Sequence, residues 1–305
     1  MRVQDIKQIT TSNEISGLVR SLLLFSETKE LWREIEKFSY ALIKGDALSI
    51  MAYKSLGKRL YNDIDILVDR LNVKDIEEIC QDLGFVSQPQ SRLERIFYLS
   101  ASHQIYPYYK NRGNYKVNID INFDIFWGEY IDKRISIRNF LSDTIEMDIY
   151  GIRVKTLPPL KAMVQLILHH YKEMNSIYHL AGHNCIHYNM FKDVYYLWKN
   201  NQETISLEKL FAISSEYEII PYVFYVLYFT NWIFKDMELQ KYVDAFRTQE
   251  GESLLDYYGL AEKERKPWKV DFQTRLETEN LYELIRNDLT GADIEKLERN
   301  RKIFG

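Results

Sequence analysis

The sequence predicts an α+β fold, in which a mixed sheet with flanking helices occupies residues 1–156 and a helical domain occupies residues 157–305. Short runs rich in aromatic and β-branched residues, which favour strands, lie between residues 40 and 123. After Leu157 the apolar residues recur almost throughout at intervals of three and four, which is the spacing of amphipathic helices. Because the 305 residues exceed the length at which one hydrophobic core keeps growing, two domains are expected.

The individual elements follow from the same periodicities and from the turn residues between them. We predict strands at residues 40–43, 64–68, 96–99, 104–109 and 115–123, with residues 111–114 as a hairpin loop. We predict helices within residues 13–38 and at residues 47–53, 73–83, 160–172, 190–198 and 219–234. Glycine and proline number only 12 and 6, so few positions are forced into turns and long helices are favoured.

Composition and charge argue against a general nucleic-acid-binding protein, a disulfide-rich protein and a membrane protein. A formal net charge of −4 offers no broad electrostatic attraction for nucleic acid, although a local patch could still bind a tRNA. Cys80 and Cys185 are the only cysteines, too few for a disulfide framework and compatible with a reducing compartment. No apolar run reaches the ~18 residues that a membrane span needs, and residues 1–10 lack the apolar stretch of a signal peptide. We therefore expect a cytoplasmic protein without a membrane segment.

Three aspartates form the strongest candidate site. Asp63 and Asp65 lie at the start of a predicted strand, where the two-residue period turns both side chains to one face. Asp120 lies in another predicted strand, between Asn118 and Asn122 on its polar face. Carboxylates on neighbouring strands repel one another unless a cation lies between them, and magnesium prefers such oxygen ligands. The pattern therefore predicts a magnesium site; the simpler interpretation is that the paired aspartates merely flank a strand.

A glycine turn precedes these aspartates. Lys44 and Gly45 separate the first predicted strand from the helix that follows it. A glycine at such a turn lets the backbone approach a phosphate, and the amides at a helix N-terminus favour its negative charge. The order of strand, glycine turn, helix, paired aspartates and a third acidic strand therefore favours phosphoryl or nucleotidyl transfer.

These residues resemble the nucleotidyltransferase fold superfamily, whose pattern is a glycine-containing turn, then Asp-x-Asp, then an isolated acid between apolar residues. More narrowly, residues 42–53 and 59–68 resemble a family of uncharacterised bacterial nucleotidyltransferases with a Lys-Gly and Asp-x-Asp signature. That family is related to toxin and abortive-infection nucleotidyltransferases. The resemblance covers about residues 39–198 and is most specific in its first part.

The resemblance implies magnesium-dependent transfer of a nucleoside monophosphate from an NTP such as ATP to an acceptor hydroxyl on a small molecule, a protein or a tRNA. It implies that Asp63, Asp65 and Asp120 hold Mg²⁺ and act in catalysis. It implies nucleotide-binding roles for five further residues, namely Lys44, Gly45, Arg59, Lys161 and Asp193. For Lys161, a solvated position on its helix is an equally good interpretation.

One residue departs from the family pattern. Asp46 follows the turn glycine, where the superfamily usually has serine or glycine and the narrower family often has alanine. A carboxylate at this position faces away from the turn, caps the helix or disfavours a triphosphate. The alternative function is therefore a non-catalytic descendant of the same fold that binds nucleotide or a partner protein.

Histidines form a second candidate cluster, because five of the six lie between residues 169 and 187, where Cys185 also lies. Three of them are spaced by fours, as on the metal-binding face of a helix: His179, His183 and His187. Gly182 interrupts that helix, so the segment is either a zinc site or a polar loop beside the active site. His169 and His170 lie on the helix that begins near residue 160 and are either pocket residues or satisfied core histidines.

Overall fold

The computed structural model of the protein describes residues 3–126, 135–182 and 185–304. Its helices are α1 (Val3–Glu27), α2 (Lys29–Ile35), α3 (Gly45–Tyr53), α4 (Val73–Asp82), α5 (Arg92–Ala101), α6 (Ile137–Phe140), α7 (Pro159–Asn175), α8 (Ile177–Ala181), α9 (Tyr188–Lys199), α10 (Leu207–Glu216), α11 (Ile220–Phe234), α12 (Met237–Phe246), α13 (Gln249–Leu255), α14 (Phe272–Glu277), α15 (Tyr282–Ile285) and α16 (Gly291–Phe304). Its strands are β1 (Tyr40–Ile43), β2 (Asp63–Val68), β3 (Tyr108–Arg112), β4 (Tyr115–Asn122), β5 (Ile145–Ile149), β6 (Ile152–Thr156), β7 (Tyr257–Tyr258) and β8 (Lys266–Pro267).

Six strands form one mixed sheet in the order β3-β4-β2-β1-β6-β5. β2 runs parallel to β4 and β1 runs parallel to β6, whereas the other neighbouring strands are antiparallel. From α7 onward the described residues are mainly helical, apart from the two-stranded ribbon of β7 and β8. The predicted α+β fold, a mixed sheet followed by helices, is confirmed. The last strand of the large sheet ends at Thr156, and the division into two domains at residues 156 and 157 stays a prediction.

The helix α11 forms much of the core of the helical part. Most of its residues are buried, and it packs against α7, α9, α12 and α13. The helix α9 also packs against α3, and Asn200 and Asn201 after α9 donate to the carbonyl oxygens of Ala52 and Met51 near the end of α3. A helix that is apolar on all sides is either a core helix or a membrane span. Within the described ranges, no helix has the length and apolar character that crossing a membrane requires.

One predicted strand is wrong, and another is correct only at its end. Residues 96–99 belong to α5, because Ser91 and Glu94 form a capping box that starts a helix: each side chain accepts a hydrogen bond from the other residue's backbone amide. The strand predicted at residues 104–109 is reduced to an isolated bridge between Gln104 and Asn122, and regular pairing begins only at Tyr108. Strand-forming composition alone therefore did not decide these two segments.

Asp236 joins the start of α12 to α9. Its Oδ1 accepts hydrogen bonds from the amides of Glu238 and Leu239 at 2.8 and 3.3 Å. Its Oδ2 accepts from Lys199 Nζ at 2.8 Å and from the Tyr195 hydroxyl at 2.9 Å. The hydrogen bond from Lys199, with those from Tyr195 and the two amides, lowers the pKa of Asp236 to about 2.

Replacing Asp236 with alanine is expected to lower the free energy of unfolding by about 1–2 kcal/mol, the usual cost of a lost helix cap. Because folding lowers the Asp236 pKa, this contribution is complete above the unfolded value of about 3.9 and is lost as the pH falls toward about 2. Urea unfolding at pH 7 and pH 3 measures it. Asp244→Ala on the same helix, at an exposed carboxylate, should change stability by less than about 0.5 kcal/mol; equal losses in both variants would contradict the capping role.

Candidate active site

The three predicted aspartates lie together on two parallel strands of the sheet. In the register of β2 and β4, Asp65 is directly opposite Asp120, and Asp63 is opposite Asn118. Because side chains alternate along a strand, Asp63, Asp65 and Asp120 share one face. Asp65 is buried, whereas Asp63 and Asp120 are partly exposed, so the group is accessible from solvent.

Burial and mutual repulsion raise the pKa of two of these carboxyl groups. Burial, followed by the charges of Asp65 and Asp63, raises the pKa of Asp120 to about 7. Burial and the charge of Asp65 also raise the pKa of Asp63, although Lys44 and Arg59 act in the opposite direction. Carboxylates that oppose one another's ionisation provide a favourable place for a cation, since a cation removes the repulsion.

Lys44 brings a positive charge to this group. Its Nζ lies 3.2 Å from Asp65 Oδ1, and Asn122 Nδ2 donates to the same oxygen at 3.3 Å. The turn that carries Lys44 has positive φ angles of 57° at Lys44 and 43° at Gly45. Such a conformation is uncommon for a residue with a side chain, and strain of this kind clusters at functional sites. Helix α3 begins at Gly45, so its first free amides lie at the same turn.

Arg59 and Asp193 connect this site to the helical part. Arg59 Nε donates to Asp193 Oδ2 at 2.8 Å, and the Tyr53 hydroxyl donates to Asp193 Oδ1 at 2.5 Å. Burial alone would lower the pKa of Arg59, but the charges of Asp193 and Asp65 raise it above its ordinary value. The structure therefore pairs these two predicted residues with each other and places Arg59 within electrostatic range of the aspartates.

Asp46 faces away from the turn, which was one of three expectations for it. Its side chain is fully buried, and its Oδ2 accepts hydrogen bonds from the Tyr61 hydroxyl at 2.5 Å and from the hydroxyl of Ser21. Burial raises the pKa of Asp46, while the hydrogen bonds from Ser21 and Tyr61 partly oppose that rise. Since the carboxylate is inside the protein, it does not occupy the accessible side of the glycine turn.

Lys161 has partners outside the group of aspartates. Its Nζ donates to the carbonyl oxygens of Asn139 and Phe140 at 3.3 and 2.9 Å, at the end of α6. It also forms an ion pair with Asp143 at 2.5 Å. The interpretation of Lys161 as a solvated helix residue is wrong, because its side chain is only 12% exposed. The structure does not bring Lys161 to the other predicted site residues.

Three partly buried histidines lie within electrostatic range of Lys44. Burial lowers the pKa of His103, His169 and His179, and the positive charge of Lys44 lowers each of them further. His169 and His179 were candidates from the sequence, whereas His103, whose Nε2 lies 3.2 Å from Lys172 Nζ, was not. The only signal for His103 was its position just before Gln104, which bridges to Asn122 in β4. That bridge joins two distant segments, so the sequence alone did not reveal it.

The proposed zinc group and the two adjacent histidines on α7 have different surroundings. His183, one member of the proposed zinc group, lies outside the described residues, whereas Cys185 Sγ lies 3.4 Å from His187 Nε2. His169 Nε2 pairs with Glu173 Oε1 at 3.1 Å. His170 is 3% exposed, and neither of its ring nitrogens has a hydrogen-bond partner among the described residues. His170 is thus buried as the core interpretation expects, but its Nδ1 lies 3.6 Å from Glu173 Oε2, longer than a hydrogen bond.

A mixed sheet with paired aspartates beside a glycine turn, and a third carboxylate on the adjacent parallel strand, defines a protein of the nucleotidyltransferase class. Residues 11–235 match the model of a family described as uncharacterised nucleotidyltransferase. Since this match spans more than half of the chain, the chain belongs to that family.

The chain is similar to the crystal structure of an antigenic nucleotidyltransferase-like protein from Paracoccidioides brasiliensis, with 16% sequence identity and a TM-score of 0.37. The similarity covers 75% of this chain and 92% of that one. No curated protein matches the sequence.

Proposed function

We propose that the protein is a magnesium-dependent nucleotidyltransferase that transfers a nucleoside monophosphate from an NTP to an acceptor hydroxyl. The observation that carries this proposal is the position of Asp63, Asp65 and Asp120 on adjacent parallel strands, beside the strained Lys44-Gly45 turn. Membership of the family supports the class of reaction. The acceptor oxygen forms a bond to the α-phosphorus, the bond to the bridging oxygen breaks, and pyrophosphate leaves.

The carboxylate group has the donor chemistry that magnesium requires. All three predicted ligands are carboxylates on one face of the sheet, and Mg²⁺ takes oxygen ligands while keeping positions for water and phosphate. A cation here would remove the repulsion that contributes to the raised pKa values of Asp63 and Asp120. When bound, magnesium would neutralise phosphate oxygens and align the attacking and leaving oxygens.

The residues around the proposed metal site have separate proposed roles in proton transfer and phosphate binding. Asp120, on the strand next to Asp63 and Asp65, serves either as a third metal ligand or as the base toward the acceptor hydroxyl. Lys44 is placed to bind phosphate at the turn, and the first amides of α3 favour the same negative charge. Arg59, fixed by Asp193, adds a second positive charge near Asp65. These roles support binding of the NTP with its phosphates toward the glycine turn.

A nucleotide-binding experiment tests the Lys44 role. Titration calorimetry of each NTP with Mg²⁺ should give a substrate NTP whose affinity falls at least about tenfold in Lys44→Met, since a hydrogen bond to a charged group is worth ~1.5–3 kcal/mol. Lys74→Met is the matched control, because Lys74 is 81% exposed on α4 and should leave affinity unchanged. Equal affinities of wild type and Lys44→Met would contradict the assignment.

An experiment with labelled NTPs can identify the class of the acceptor. The protein is incubated with each NTP labelled at the α-phosphate, Mg²⁺ and cell extract, and the label is then measured in protein, RNA and small molecules. The proposal requires label in one of these classes and none when Mg²⁺ is replaced by a chelator. Nucleotide binding without label in any class would instead identify the non-catalytic descendant.

A further inference from the structure

The last turns of α7 carry two histidines and a glutamate that face one another. His169, His170 and Glu173 each offer one ligand atom, and these atoms all lie within 4.8 Å of one another. His169 Nε2 is 3.1 Å from Glu173 Oε1, and His170 Nδ1 is 3.6 Å from Glu173 Oε2. Ligands at about 2.0–2.2 Å from a tetrahedral ion are about 3.3–3.6 Å apart, and the two separations between histidine and glutamate lie close to that range.

His170 provides an independent indication of a ligand. Its side chain is 3% exposed, and both ring nitrogens lack a hydrogen-bond partner within the described part of the chain. An unsatisfied buried polar group costs about 1–3 kcal/mol, so native proteins rarely keep one without a reason. A metal ion bound to His170 Nδ1 would satisfy the nitrogen that faces Glu173.

We propose that His169, His170 and Glu173 bind a divalent transition-metal ion, with zinc as the ion that best matches the ligands. Two imidazoles and one carboxylate form a mixed nitrogen and oxygen set, which suits zinc, whereas magnesium prefers oxygen ligands alone. The His169 and Glu173 side chains are 19% and 36% exposed, so an ion can enter from solvent. Three protein ligands leave a tetrahedral position for water or a substrate group.

The charges around His169, His170 and Glu173 determine which of these ligands contributes most to metal binding. Lys172 Nζ lies 3.2 Å from His103 Nε2, and its charge acts on His169, so it disfavours a further cation. Glu173 is the only negatively charged member of the three and compensates for this repulsion. We therefore expect the loss of the Glu173 charge to weaken metal binding more than the loss of His169.

The experiment uses the full-length chain after metal removal, titrated with Co²⁺ and Zn²⁺. Cys185→Ser with His187→Gln serves as the reference background, because that exposed pair could bind metal by itself. The expected result is one ion per chain, with the visible absorption of four-coordinate Co²⁺. Glu173→Gln and His170→Asn should each weaken binding at least about tenfold, since losing even an outer-shell partner commonly costs ~10–100-fold.

Every protein in this experiment also carries Asp65→Asn, so that Co²⁺ bound at the proposed magnesium site does not contribute to the stoichiometry. Loss of binding in the Cys185 and His187 background, or an affinity unaffected by Glu173→Gln, would overturn the proposal. Thermal melts identify any variant that fails to fold, and Glu173→Gln, at a partly exposed side chain, remains decisive if His170→Asn does not fold. Because the readout is metal binding without NTP, its failure is distinct from a failure of the nucleotidyltransferase proposal.

Discussion

Replacing Asp65 with asparagine is expected to reduce NTP-dependent transfer at least about a hundredfold. The substitution preserves size but removes the buried carboxylate that lies opposite Asp120 and accepts from Lys44 and Asn122. Metal stabilisation of phosphoryl charge is worth several kcal/mol, and each ~1.4 kcal/mol is a tenfold change in rate. The initial rate of label incorporation at a fixed Mg²⁺ concentration measures the effect.

The matched control for this prediction is Asp82→Asn. Asp82 is an exposed aspartate at the end of α4, so its variant should retain the wild-type rate. Circular dichroism of Asp65→Asn must show the wild-type spectrum before its rate is interpreted. Transfer that persists in a folded Asp65→Asn protein would show that this site does not perform the reaction.

The part of the fold around the aspartates was predictable because it depends on local patterns. The predicted strand at residues 40–43 agrees with β1, and the strand at residues 64–68 differs from β2 by one residue. Both are short apolar runs with polar or glycine residues at their ends, so their length and these flanking residues identify them as strands. The alternation of polar and apolar residues around Asp120 likewise determined which face of β4 carries the carboxylate.

The features that were missed depend on contacts between distant segments. β5 and β6 were not predicted, and β6 is held to β1 by parallel pairing across more than a hundred residues. The alignment of Asp65 with Asp120 also joins separate segments, and sequence spacing cannot specify that register. His103, which was missed, and Asp193, which the family resemblance implied, also reach the site through distant segments, by way of the bridge at Gln104 and of α9.

The environment of Asp46 could not be predicted from the sequence for another reason. Three conformations were consistent with an aspartate after the turn glycine, and the choice depended on partners in other segments. Ser21 comes from α1 and Tyr61 from the segment before β2, and together they hold the carboxylate inside the protein. A residue that departs from a family pattern can therefore have a structural role without occupying the ligand site.

Disruption of the ion pair between Arg59 and Asp193 should strongly destabilise the protein. Asp193 has a side chain 5% exposed and Arg59 one 20% exposed, so either charge left alone would be largely buried. Removing one partner of a buried pair commonly costs about 3–5 kcal/mol. We expect Asp193→Asn to lower the free energy of unfolding by about 3 kcal/mol, measured by urea denaturation.

A double-mutant cycle separates the pair from its surroundings. Arg59→Met with Asp193→Asn removes both charges, while the asparagine oxygen can still accept the Tyr53 hydroxyl hydrogen bond. The double variant should therefore lose at least about 1 kcal/mol less stability than the two single variants summed. The exposed pair of Lys74 and Glu78 is the control cycle, with an expected coupling below about 0.5 kcal/mol. Additive losses at Arg59 and Asp193 would contradict the coupling, because they would show that the two charges act independently; packing of α3 on α9 and the hydrogen bonds from Asn200 and Asn201 would then join the helical part to α3.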